Sequence, residues 1–284
     1  MVVSLPSALA IHTSSPSLGL CAYHPDYGIT SKTWDLGRDM STQLHHRLSA
    51  FLQPYNWNEL EFIAVAIGPG GFTSTRMGVV LARTLAQQLN LPLFGISSLA
   101  AFAWHQAIAP LLPPRASQSG PLQPHSSPFG NEVSAALNSK DLALPAIAVQ
   151  MPARRNQVFG AIYELGQFSP SPNRLDTDKI VQNNQVIRDH SDSHVAAPKA
   201  LCDRPQTLRS QNLCLVPQQP DHIMEQTEWQ QQVEQLSPAP HRLSVDGNLG
   251  HTVDSVLDLA YIDYFRKLES HWSTVYPFYG QSPV

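Results

Sequence analysis

The 284-residue chain is poor in charge, and neither sign dominates. Charged residues make up 14% of the chain, and the formal net charge is −4 at pH 7. Proteins that bind nucleic acid on their own usually concentrate lysine and arginine on one surface to attract phosphates. Since this chain has no such excess, we expect any contact with RNA to depend on the charge of a partner.

Cysteine and long apolar runs are also scarce. The 3 cysteines, Cys21, Cys202 and Cys214, have no CxxC spacing, which excludes a disulfide framework and predicts a reducing compartment. No apolar run approaches the roughly 18 residues of a membrane span. The first residues, MVVSLPSALAIHTSS, lack a basic n-region and predict a strand rather than a signal peptide. We therefore expect a cytoplasmic protein without membrane contact.

Recognisable catalytic groups are missing as well. The sequence has no GxSxG elbow and no cysteine beside a histidine. His190 and His194 have the spacing of a helical metal site, but their surroundings predict a poor helix and no HExxH glutamate accompanies them. His12 is a poor ligand for Mg²⁺, which prefers oxygen donors. We therefore predict no catalytic residue, no cofactor and no metal.

What the chain does contain is a regular order of strands and helices. Three β-prone runs from Ala8 onward predict an antiparallel meander. A helix over 42–52, a buried strand over 62–68, a helix over 73–89, a strand over 91–98 and a further helix follow. This order favours a mixed sheet whose last strands are parallel, as in ribonuclease-H-like folds and the lobes of sugar kinases and actin.

The composition divides the chain into three parts. Residues 1–109 are predicted to form an N-terminal ribonuclease-H-like lobe. Residues 110–145, rich in Pro, Ser, Gly and Gln, predict a flexible surface insertion. Residues 146–284 predict a second lobe with two strands joined by a turn, a polar and partly disordered segment over about 166–240, and a C-terminal helix over 252–268.

A glycine-rich turn stands between the strand over 62–68 and the helix that follows. It is formed by Gly68, Pro69, Gly70 and Gly71. Free backbone N–H groups at the start of a helix can bind an anion. However, the spacing is neither GxxxxGK[ST] nor GxGxxG, and no lysine is present. We therefore predict a structural turn, with nucleotide binding as the alternative.

The helix over 73–89 has more apolar surface than one sheet needs. Its predicted outer strip is Arg76, Val80, Arg83 and Gln87, and Met77, Leu81 and Leu85 line one flank. Gly78, Ala82 and Ala86 recur every fourth residue, which lets another helix lie close. Either the chain itself buries these residues, or the extra flank binds a partner.

The run IGPGGFTSTRMGVVLARTLAQQLNLPLFGISSLAAFA resembles the central signature of the TsaB (YeaZ) family. The family pattern is close to GxGPGSFTGxRxGxxxAxGLA, a short linker, and PxxGVSSLxxxA. Weaker similarity continues in ALAIHTSSPSLGLCAY, ARRNQVFGAIYEL and YPFYGQSPV. The chain departs from the pattern where His12 replaces a first-strand aspartate, Gly71 a serine and Ser74 a glycine.

The resemblance implies a two-lobed, actin-like (ASKHA) α/β fold with mixed sheets flanked by helices, and a subunit without chemistry of its own. The partner that it implies is TsaD. In that family TsaD is the metal- and ATP-dependent enzyme that forms N6-threonylcarbamoyladenosine in tRNAs reading codons that begin with A. TsaE joins that assembly, and a homodimer through the same helices is the alternative. The implied interface is Leu44, Leu48, Arg76, Met77, Gly78, Leu81, Ala82 and Leu85. The rival hypothesis is a nucleotide-binding ATPase or kinase of the same superfamily.

Overall fold

The structure is a computed structural model that describes residues 5–53, 55–107, 146–167 and 213–280. The predicted insertion at 110–145 and the pair His190 and His194 lie outside these residues. The strands are β1 (Ala8–His12), β2 (Ser17–His24), β3 (Gly28–Asp35), β4 (Phe62–Gly68), β5 (Leu93–Ser97), β6 (Ile147–Pro152), β7 (Gln157–Gln167), β8 (Leu213–Glu225) and β9 (His241–Ser244). The α-helices are α1 (Met40–Leu52), α2 (Phe72–Leu89), α3 (Ser98–Ala107), α4 (Gln226–Glu234) and α5 (Val253–Phe265).

The first sheet has five strands in the order β3-β2-β1-β4-β5. β1, β2 and β3 are antiparallel neighbours, whereas β4 and β5 run parallel to β1. The predicted meander and parallel strands are therefore confirmed. The apolar run FIAVAIG forms β4 because a central strand buried on both faces has no solvent side that needs polar residues.

The second sheet has four strands in the order β8-β7-β6-β9. β6 and β7 form the predicted hairpin, and its turn places Arg155 and Asn156 at φ values of 59° and 61°, as type I′ turns require. β8 and α4 were not predicted. Pro217, Pro220 and a run of glutamines interrupt the apolar periodicity that would have identified them.

Helices and sheets alternate in layers. α1 and α2 cover the face of the first sheet that carries Leu9 and Ile11. Ala8 and Ala10 point to the opposite face, where α3 and α5 lie between the two sheets. α4 packs on the outer face of the second sheet through Trp229. The predicted fold class, an α/β fold with mixed sheets flanked by helices, is confirmed.

α5 does not belong to the second lobe alone, contrary to the prediction. It packs across β1, β2, β4 and β5 of the first sheet and against α3. The Tyr261 hydroxyl donates a hydrogen bond to the Pro6 carbonyl oxygen at 2.6 Å. A helix that is apolar on every side needs neighbours on every side, which its place between the sheets supplies. In the part of the chain that the structure describes, no helix is both long and apolar enough to cross a membrane.

Candidate functional site

The glycine-rich turn packs against the chain segment that follows β1. The Gly71 N–H donates to the Ser14 carbonyl oxygen at 2.8 Å. A Cβ atom on Gly70 would lie 2.0 Å from the same oxygen, so only glycine permits this approach. Gly68 has a φ of 102°, which also favours glycine. Ser14 thus occupies the space beside Gly70 and Gly71 that a bound anion would need.

The turn between β1 and β2 is also bonded to protein groups. Ser15 Oγ accepts a hydrogen bond from the Leu249 N–H at 3.0 Å, and Ser17 Oγ accepts one from the Gly250 N–H at 2.9 Å. These bonds connect the first sheet directly to the segment that precedes α5. The two hydroxyls are therefore engaged in holding the two halves of the molecule together.

His12 ends β1 and is completely buried. Its Nδ1 accepts a hydrogen bond from the Ser14 N–H at 3.4 Å, whereas its Nε2 has no partner among the described residues. Burial, with a smaller contribution from His251, lowers the pKa of His12 from 6.5 to about 3. The imidazole is therefore neutral at physiological pH. Among the residues that the structure describes, no cluster of three His, Cys, Asp or Glu side chains could hold a metal ion.

His12 predicts a loss of stability in acid. The pKa of His12 is about 3 in the folded chain and 6.5 in the unfolded chain. Between pH 3 and pH 6.5 this imidazole therefore binds a proton in the unfolded chain but not in the folded chain. The contribution of His12 to the free energy of unfolding should fall by about 1.4 kcal/mol per pH unit as the pH drops below 6. Urea denaturation of the wild type and of His12→Asn, followed from pH 7 to pH 4, measures this slope. Asn retains an acceptor near the Nδ1 position and does not titrate.

The comparison with His12→Asn also removes an opposing effect. Burial raises the pKa of Asp263 to about 6, so protonation of this carboxyl stabilises the folded chain as the pH falls from 6 to 3.8. This contribution is the same in both proteins and cancels in their difference. Equal slopes for the two proteins would contradict the assignment of the acid sensitivity to His12.

Four predicted interface residues are buried by the chain itself. Leu44 and Leu48 of α1 point into the core between α1, α2 and the first sheet, and Ala82 of α2 is 0% exposed in the same core. A Cβ atom on Gly78 would lie 2.1 Å from Thr13 Oγ1. The small residues of α2 therefore bring the helix close to its own sheet. These four residues are covered in the isolated chain, and their assignment to a partner surface stays a prediction.

The outer side of α2 carries the remaining predicted residues. Arg76 is exposed, and Met77, Leu81 and Leu85 are half-buried at the edge of the core. Val80 is 53% exposed, and Phe72, at the first position of the helix, is 59% exposed. Phe72, Arg76 and Val80 are spaced four residues apart and so follow one another along the same side of the helix.

The C-terminal segment 270–280 lies beside this side of α2, a contact that sequence reasoning missed. The Leu93 N–H donates to the Ser270 carbonyl oxygen at 2.7 Å, which holds the segment to β5. The Arg83 guanidinium lies 4.9 Å from the ring centre of Tyr276, which is 61% exposed. The rings of Phe72 and Tyr279 are 4.5 Å apart. The aromatic residues of YPFYG were the only sequence signal for this packing.

We call the outward-facing set of side chains on α2 and on the C-terminal segment the α2 surface. It consists of Phe72, Arg76, Val80, Arg83 and Tyr276. The surface combines exposed apolar side chains with two guanidinium groups, one of which stacks on an aromatic ring. Aromatic residues and arginine are the residue types enriched in protein–protein interfaces.

Sequence comparison detects two similarities. The model of the family described as "TsaD: tRNA N6-adenosine threonylcarbamoyltransferase" matches residues 42–116. The chain is 35% identical over 97 residues to the tRNA threonylcarbamoyladenosine biosynthesis protein TsaB of Bacillus subtilis (strain 168). That alignment covers 34% of this chain and 42% of the relative, so it spans less than half of either protein.

Structure comparison extends the likeness to nearly the whole chain. YeaZ from Pseudomonas aeruginosa superposes with a TM-score of 0.55 and 16% identity, over 97% of this chain and 100% of that chain. A protein with similarity to peptidase YEAZ from the same organism gives the same TM-score and identity over 98% of this chain and 100% of that chain. At this identity the superposition shows the fold alone. The signature around the glycine turn and the relative in B. subtilis add local sequence similarity to the TsaB (YeaZ) family.

Proposed function

We propose that this chain is a non-catalytic scaffold subunit in the synthesis of N6-threonylcarbamoyladenosine in tRNA, and that it binds TsaD through the α2 surface. The observation that carries the proposal is the position of its exposed apolar side chains. Of the five large hydrophobic residues that are strongly exposed among the described residues, Phe72, Val80 and Tyr276 lie on this surface. Clustered exposure of this kind marks an interaction site.

The comparisons support TsaD as the partner. The relative in B. subtilis is named for threonylcarbamoyladenosine biosynthesis, and we carry that role to this chain. The family model built for the transferase matches residues 42–116, which contain α1, α2 and α3. Two proteins that share these helices present related surfaces, and related surfaces can pair about a pseudo-twofold axis. Met77, Leu81 and Leu85 are proposed to contact TsaD at the edge of the α2 surface.

The absence of chemistry is proposed from the surroundings of the glycine turn. Ser14 occupies the space beside Gly70 and Gly71. β1 ends in a neutral, buried histidine, whereas the binding of a hard cation such as Mg²⁺ favours a carboxylate ligand. A phosphate group would therefore find the Gly71 N–H already bonded to Ser14, and Mg²⁺ would find no carboxylate at the end of β1. These contacts weigh against the ATPase or kinase hypothesis.

Reconstitution tests the proposal. The reaction mixture contains TsaD, TsaE, this chain, a source of threonylcarbamoyl-adenylate and a tRNA that reads codons beginning with A. Threonylcarbamoylation of the tRNA should proceed in the complete mixture and should fall to background when this chain is omitted. The measurement is the incorporation of labelled threonine into tRNA. A full rate without the chain would contradict the scaffold role, and ATP turnover by the isolated chain would contradict the non-catalytic role.

Light scattering identifies the occupant of the α2 surface. We propose a heterodimer with TsaD, which TsaE joins afterwards, and therefore expect the mass of one copy of each when the two proteins are mixed. A homodimer that persists in the presence of TsaD would instead make a second copy of this chain the occupant.

A further inference from the structure

β9 lies at one end of the second sheet. It pairs with β6 in parallel, with Ala148 opposite Arg242 and Gln150 opposite Ser244. The His241 N–H donates to the carbonyl oxygen of Ala146, the residue before β6, at 2.7 Å, and the Val245 N–H donates to that of Gln150 at 2.8 Å. Because N–H and C=O groups alternate in direction along a parallel strand, those of Arg242 and Ser244 point away from β6.

The outward edge of β9 is unpaired in the part of the chain that the structure describes. An unpaired edge offers N–H and C=O groups to any extended segment that approaches it, which is why proteins often protect their edges. Arg242 and Ser244 are both exposed, and β9 contains no proline or lysine that would discourage pairing. The backbone can therefore accept one more strand here.

A cavity of about 160 Å³ lies directly beside this edge. Its floor is the face of β6 and β9 that carries Gln150, Arg242 and Ser244, and its wall is the side of α4 that carries Trp229 and Gln230. Side chains of an added strand alternate between the two faces of the sheet. Every second side chain of a segment paired with β9 would therefore point toward this cavity.

Among the described residues, no ion pair neutralises the positive charge beside this cavity. Arg242 is the only charged residue that lines it, and this guanidinium forms no ion pair with any described residue. Gln150, Gln230 and Ser244 add neutral groups that can donate hydrogen bonds. A carboxylate suits this set better than a neutral or basic group, because an ionised acceptor strengthens the hydrogen bonds from arginine.

We propose that β9 and the adjoining cavity bind an extended segment of another protein that carries an acidic side chain. The backbone of the segment pairs with the outward N–H and C=O groups of Arg242 and Ser244, and its carboxylate enters the cavity and meets the Arg242 guanidinium. Backbone pairing provides affinity in this mode of recognition, and the pocket provides specificity. The site shares no residue with the α2 surface, so variants at the two sites can be tested separately.

The test uses two labelled peptides and the full-length protein. The peptides are acetyl-Val-Thr-Glu-Thr-Val-amide and its counterpart with Gln at the centre, and binding is measured by fluorescence anisotropy. The wild type should bind the Glu peptide about 10-fold more tightly than the Gln peptide, the usual difference between a charged and a neutral hydrogen bond. In Arg242→Gln the two affinities should become equal within about twofold.

Ser244→Pro tests the pairing of the backbone. Proline removes the outward N–H without disturbing the bonds that the His241 and Val245 N–H groups donate, so both peptides should lose binding, whereas the matched variant Ser244→Ala should keep it. Thermal melting of each variant verifies the fold. Absence of binding by the wild type, equal affinity for the two peptides, or association of the protein with itself through β9 would each overturn the proposal.

Discussion

Replacing Ala82 with arginine is expected to prevent the chain from folding. Ala82 is 0% exposed and packs between α2 and the first sheet with Leu44, Leu48 and Val79. A guanidinium at this position would be buried without a partner and would also need space that the core does not have. The expected cost is on the order of the 5–15 kcal/mol that stabilises a typical domain. Circular dichroism and urea denaturation should show no cooperative transition.

Thr84→Arg is the matched control, because it introduces the same side chain two residues further along α2. Thr84 is exposed, and its hydroxyl donates only to the Val80 carbonyl oxygen of the same helix. Substitution there should change the free energy of unfolding by about 0.5 kcal/mol or less. If Ala82→Arg instead melts at the temperature of the wild type, α2 does not present its small residues to its own sheet.

Val80→Arg is expected to leave the chain folded and to abolish the proposed complex with TsaD. Val80 is 53% exposed in the isolated chain, so an arginine there extends into solvent. At the centre of an interface the same guanidinium would lose its hydration beside the positive charges of Arg76 and Arg83. An unfavourable substitution at such a position weakens the free energy of binding by roughly 2–4 kcal/mol. We expect the affinity for TsaD, measured by calorimetry or light scattering, to fall about 100-fold or more.

Gln231→Arg serves as the control for this variant. Gln231 is an exposed residue of α4, on the outer face of the second sheet, and should retain the affinity of the wild type. Val80→Arg with unchanged affinity would contradict the proposed position of the interface. Loss of self-association without loss of TsaD binding would show that the α2 surface serves a second copy of the chain.

The sequence predicts the first half of the fold well and the second half poorly. Between Ala8 and Ala107 every strand and helix has a clear apolar period and is bounded by Gly, Pro, Ser or Asn, for example Asn90 in the left-handed conformation at the end of α2. β8 has two prolines and half-exposed polar residues, and α4 buries only Trp229 and Val233. Strands and helices with so little buried surface are specified by their neighbours, which the local sequence does not reveal.

The orientation of α2 could not be predicted for a different reason. The spacing of Gly78, Ala82 and Ala86 correctly indicates that something lies close to this side of the helix, but it does not identify what. The neighbour is Thr13, which is distant in sequence and comes close only when β1 and β4 pair. The proposed partner side of α2 likewise depends on the C-terminal segment, since Tyr276 and Tyr279 reach Arg83 and Phe72 from about 200 residues away.

The position of α5 constrains the order in which the chain acquires its structure during synthesis. Phe62 of β4 packs against Tyr261 and Tyr264 of α5, with ring centres 5.0 and 5.1 Å apart. The part of this face that α5 covers is therefore left exposed until residues 253–265 have been synthesised. α5 is thus part of the core beneath the first sheet, although it follows the second sheet in the chain.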